Sequence, residues 1–138
     1  MISFDLLQAA IITALKADVD LVAVVGDEIR EEQWQGTGFA YPGVRVAIGG
    51  GRPVGESCVE THSVVNFSVA CFSENDSSIE ADQLAGLVSD ALFLTKIYAA
   101  TFSTGWVRIG GAGVQSARRM VGRYWRSSVE FQTNIYET

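Results

Sequence analysis

Four arginines, Arg118, Arg119, Arg123 and Arg126, fall within nine residues and are interleaved with Tyr124 and Trp125. Arginine offers a planar fork of N–H donors that pairs a carboxylate bidentately and stacks on aromatic rings, so this composition is that of a protein–protein hot spot. A fifth, Arg52, lies in the glycine-rich segment 49–55, expected as a hairpin tip that meets a neighbour. Arg52, Arg118, Arg119, Arg123, Trp125 and Arg126 are therefore the expected partner-contact residues; the alternative is that some arginines hold the last hairpin to acidic groups of their own chain. The carboxylates Asp27, Glu28, Glu31 and Glu32 form the opposing cluster, suited to a solvated edge or to an electrostatic surface facing a partner. Their spacing is not that of a calcium loop.

Reaction chemistry finds little material. His62 is the only histidine, and Cys58, four residues before it, has no second Cys/His pair with which to complete a zinc shell. No serine sits in a nucleophile elbow. Gly49-Gly50-Gly51 lacks a following Gly-Lys-Ser/Thr, and Gly111-Ala112-Gly113 lacks the third glycine of a dinucleotide fingerprint, so both read as turns and not phosphate cradles. No catalytic, cofactor or metal residue is expected. Two rivals remain: a small enzyme using Cys58 and His62, which requires a reactive thiol beside the imidazole, and a ligand-binding module with an enclosed pocket beneath the second long helix.

The elements that must position these groups follow from patterning. At 138 residues the chain suits one domain, residues 1–138, with 48% hydrophobic content and only 2 prolines. Its net charge of −6 argues against general nucleic-acid binding. That average hides a split: residues 1–100 carry 14 acidic and 5 basic side chains (−9), and residues 101–138 carry 2 and 5 (+3). The start lacks a signal-peptide pattern and no apolar run is long enough to span a membrane, so a cytoplasmic site of synthesis with free thiols at Cys58 and Cys71 is expected.

Leu6, Leu7, Ala10, Ile11 and Ala14 recur at helical spacing after Ser3, predicting a helix over 3–17. One or two further turns over 18–25 close at Gly26, and a short strand is expected over 29–34. Val44, Val46 and Ile48 begin a hairpin whose second strand resumes near residue 59 and runs to about 72, with Val65, Phe67, Val69 and Cys71 on one face. Ser77-Ser78-Ile79-Glu80 fits a capping box opening a helix to about residue 97, lined by Leu84 and Val88. Strands at 106–109, continuing through 114–118, and at 123–136 pair across a turn near Gly122, the last placing Phe131 and Ile135 inward. The fold class is α+β: a mainly antiparallel sheet with two helices on one face and long hairpins with flexible tips.

The segments Asp20 to Ile29, Tyr41-Pro42, Val65 to Ser73, Glu80 to Ala85 and Arg126 to Thr133 together resemble the tail-completion, or tail-terminator, proteins of long-tailed bacteriophages. The resemblance implies a structural virion protein without enzymatic activity or cofactor, made in the host cytoplasm and located at the head–tail junction. It implies a ring of six copies on the last ring of the tail tube, ending tube polymerisation. Its implied partners are the tail tube protein and a head-side connector or completion protein, with DNA passing through the bore without specific binding. A head-completion or stopper ring is the structural alternative.

Overall fold

The computed structural model describes residues 2–32, 40–54 and 62–137. Chain order is α1 (Phe4–Lys16), α2 (Val19–Val25), β1 (Ile29–Glu31), β2 (Gly43–Pro53), β3 (His62–Ser73), α3 (Ile79–Leu92), β4 (Phe102–Thr104), β5 (Arg108–Met120) and β6 (Tyr124–Glu137). The α+β class is as expected, with two corrections of detail. The sheet is mixed, because β1 pairs parallel to β2 while the remaining ladders are antiparallel. The helices among the described residues are three, because the turns after residue 17 form α2, whose first turn is capped by Asp18 accepting from Leu21 N–H at 2.9 Å. Gly26 closes α2 at φ 59° and ψ −129°, a backbone region essentially reserved for glycine.

Strand order is β1-β2-β3-β6, and the far edge of β6 is shared by β4 and β5. Period-2 alternation sorts β6 cleanly: Ser127, Val129, Phe131, Thr133 and Ile135 are buried, and the residues between them point to the face without helices. The same parity holds on β3, where Phe67 lies directly opposite Phe131 with ring centroids 5.2 Å apart. Leu84, Val88 and Leu92 of α3 cover this row, and Leu7, Ile11 and Leu15 of α1, which packs on β1 and β2, and Leu21 of α2 complete the same core, all at zero exposure. The expected core residues Leu7, Ile11, Phe67, Val69, Leu84, Val88, Phe131 and Ile135 all belong to one buried cluster.

Three local expectations fail for identifiable reasons. The serine pair makes no capping box: Ser78 is the N-cap without a side-chain bond, and Glu80 instead accepts from Ser73 Oγ at 2.9 Å, fastening the helix start to β3. The helix stops at Leu92 and not at 97: beyond it Leu94 N–H donates to Val107 C=O at 2.8 Å and Val107 N–H to Thr95 C=O at 2.9 Å, so the backbone turns its hydrogen bonds to the segment before β5. The glycines after Ile48 are strand and not loop: β2 continues to Pro53, paired with β3 through a register shift between Ile48 and Gly50. Residues 55–61, which include Cys58, and residues 33–39, which include Trp34, lie outside the described residues.

Candidate docking surface

The β5–β6 hairpin presents the arginine cluster. Its turn closes with Arg123 N–H donating to Met120 C=O at 3.3 Å, and both Gly122 (φ 101°) and Arg123 (φ 65°) adopt positive φ. Val121 at the apex is 99% exposed, an apolar side chain held fully in solvent. Register places Arg118 opposite Arg126, Arg119 opposite Trp125 and Met120 opposite Tyr124. Two arginines directly across a ladder repel, so this pairing opposes folding. Among the described residues, no ion pair joins Arg118, Arg119, Arg123 or Arg126 to a carboxylate. Arg119 instead lies 5.7 Å from the Trp125 ring centroid, and Arg126 lies 5.9 Å from that of Phe72. Arg118, Arg119 and Arg123 are exposed.

Arg126 and Tyr124 are half-buried because the helix-free face carries its own small aromatic cluster, with Tyr124 6.0 Å from Tyr41 and 5.8 Å from Phe72. Burial, then Tyr124 and Glu74, push the Tyr41 phenol above its ordinary range, against the lowering effect of Arg45. Beside it Arg45 is only 4% exposed, donating to Glu28 Oε1 at 2.6 Å and to Val44 C=O at 3.0 Å. Glu28 also lies 3.7 Å from Arg30. Patterning alone grouped Glu28 with a surface cluster; the structure makes it the counterion of a buried arginine. The root of the hairpin tip is tied to α3, whose Asp82 carboxylate accepts from Ala117 N–H at 2.7 Å and Ser116 Oγ at 3.3 Å. That carboxylate blunts the irregular outer edge of β5.

Arg52 is not part of this surface. It is exposed near the end of β2, in register with Val64 and through it with Asn134, eight residues along β6 from Arg126 and so roughly 26 Å away. At that opposite end the sequence reading missed a recess of about 400 Å³ lined by Lys96, Tyr98, Trp106, Arg108, Asn134 and Tyr136. Its lining comes from three segments spread over 41 residues, so no local motif announces it.

Of the two groups of the enzyme alternative, His62 is described and Cys58 lies outside the described residues. His62 stacks on Tyr136, centroids 4.7 Å apart, with Nε2 3.2 Å from Asn134 Oδ1. Cys71 is buried, and its thiol is pushed up to about 12 by desolvation, partly offset by a hydrogen bond with Ser127 and by Arg126. Among the described residues no cluster of His, Cys, Asp and Glu could hold a metal ion. On the inner side of α3, Ala81, Leu84, Ala85, Val88 and Leu92 are each at most 3% exposed, as core side chains are.

The arrangement is that of a small α+β protein whose distinctive groups are displayed on a hairpin and on sheet edges, outside any enclosed site. Over residues 9–136 the chain matches the family described as tail completion protein gp17, and it belongs to that family of bacteriophage tail-completion proteins. In fold it is similar to a chain from a solved structure described as the virion of a native gene transfer agent particle, with a TM-score of 0.75 and 22% identity, covering 98% of this chain and 97% of that one. A second solved chain aligns with a TM-score of 0.61 and 14% identity over 100% of this chain and 97% of its own length. No curated protein matches.

Proposed function

We infer that this chain, as a single domain, forms a ring of six copies at the head-proximal end of a phage tail tube, where it ends polymerisation and joins tail to head. The protein acts by docking and not by catalysis, and Arg118, Arg119, Arg123, Trp125 and Arg126 form the surface that engages the tube or the head-side connector. The observation that carries this reading is the hairpin tip: a ladder that sets Arg118 against Arg126 and lifts Val121 wholly into water does nothing for the monomer. In a family of tail-completion proteins, such a feature is best explained by a partner that supplies carboxylates and an apolar seat. The acidic remainder of the chain suits a bore through which DNA passes, since like charge keeps phosphate from sticking.

The test compares the double variant Arg118→Glu, Arg119→Glu with Cys58→Ala and His62→Ala in a tail-assembly assay read by electron microscopy. Tails of abnormal length, or tails without heads, are expected from the arginine variant alone, at unchanged melting temperature. Normal particles from it, with failure of either thiol or imidazole variant at unchanged stability, would transfer the function to Cys58 or His62 and revive an enzymatic role.

A further inference from the structure

The recess at the β4–β5 edge carries more aromatic and cationic surface than the fold uses. Tyr98 is 76% exposed and Trp106 56%, and Lys96 Nζ sits 4.6 Å from the Trp106 ring centroid. Arg108 lines the same recess, and the ion pairs among the described residues, which join Glu28 to Arg30 and Arg45, involve neither cation. At the other edge of the sheet, a recess of about 480 Å³ is bordered by Glu31 and Glu32 with Phe4, Gln8, Ala47 and Ile48. Both carboxylates are exposed and likewise have no cation partner among the described residues.

Strand order puts these two recesses on opposite edges, four strand spacings or roughly 19 Å apart, so within one molecule the sheet separates them. Complementary patches on opposite edges of one chain are the requirement for a heterologous, head-to-tail contact, the kind that closes into a ring when the rotation between copies allows it. We propose that the Lys96–Trp106–Arg108 recess of one copy receives the Glu31–Glu32 edge of a second copy of this chain. The aromatic rings shield the ion pairs from water, and the opposed charges set the register between copies. Lys96 and Arg108 are the receiving cations; Glu31 and Glu32 are the inserted anions. This contact rests on the ring reading above and names the surfaces that would build it. It is distinct from the arginine tip, which lies at the far end of β6.

Sedimentation velocity of the full chain over a concentration series, at low and high salt, tests the contact. The wild type should self-associate, less at high salt. Lys96→Glu with Arg108→Glu should weaken association about tenfold or more, Glu31→Lys with Glu32→Lys should do the same, and the four changes combined should restore it, as expected when close charge pairs are reversed together. Circular dichroism melting checks that each variant folds. A wild type that stays monomeric, reversals without effect, or a combined variant that does not recover would overturn the proposal. So would binding of a polyglutamate peptide to the monomer, lost in Lys96→Glu with Arg108→Glu, without self-association. The two readings fail separately: a monomeric wild type that still completes tails removes this contact and leaves tail completion standing, whereas intact charge-dependent association with normal tails in its absence from the particle removes the ring role.

Discussion

The helix-covered face of the sheet and its helix-free face are made from the same strands but obey different constraints. On the covered face the row Ser127 to Ile135 of β6 lies beneath α3, nothing in it is exposed above 1%, and polar members are tied down, as Ser127 Oγ is to Ala81 C=O at 2.6 Å. On the other face the neighbouring residues of the same strand are half-buried or exposed, with an aromatic and arginine cluster at one end and an aromatic and cationic recess at the other. Each side chain of the first set can be explained by folding. Much of the second set cannot, and that surplus is where assembly function is to be sought.

The contrast can be broken most forcefully on the covered side. Phe131→Ala removes a ring stacked on Phe67 and should cost about 3–5 kcal/mol in a denaturant titration, whereas a loss below about 1 kcal/mol would place Phe131 outside the core. An intermediate effect is expected for Glu28→Ala, which takes the carboxylate from a guanidinium that is almost fully buried; about 2 kcal/mol is expected by chemical denaturation.

Cys71 gives a smaller, pH-dependent signature. Its thiol titrates near 12 in the folded chain against an ordinary 9.0, so the unfolded chain releases the proton first. The stability this group supplies is complete below pH 9.0 and falls by on the order of 1.4 kcal/mol per pH unit as the pH rises from there toward about 12. The stability difference between wild type and Cys71→Ala should therefore shrink by about 1 kcal/mol between pH 8 and pH 10. A constant difference would mean that the thiol is solvated. Smallest of all, Arg118→Ala should leave stability within about 0.5 kcal/mol or raise it slightly, because it relieves the repulsion from Arg126. A clear destabilisation would show that Arg118 serves the fold.

The two faces were also unequally legible in the sequence. Period-2 alternation with large apolar residues identifies Val65 to Cys71 and Val129 to Ile135, and with them the inner face, because local spacing alone decides which way such a side chain points. The arginine tip was legible for a similar reason, its members being close in the chain. Arg45 with Glu28 and the Lys96–Trp106–Arg108 recess were not, since their partners are brought together only by strand pairing and by the chain reversal after α3. Glycines 49–51 misled in the opposite direction: their freedom suggests a loop, yet the ladder to β3 continues through them with one irregularity. Arg52 was grouped with the other arginines by chemistry and separated from them by the length of β6.

The central claim, that this chain completes a tail by docking through its β5–β6 tip, is tested most directly by imaging the head-proximal end of tails in native particles at a resolution that traces side chains. The account predicts one closed ring of six copies on the last ring of the tube, with Arg118, Arg119 and Arg123 against carboxylates of an adjoining protein. The chain located elsewhere in the particle, or a ring whose arginine tips stand free in solvent, would contradict it.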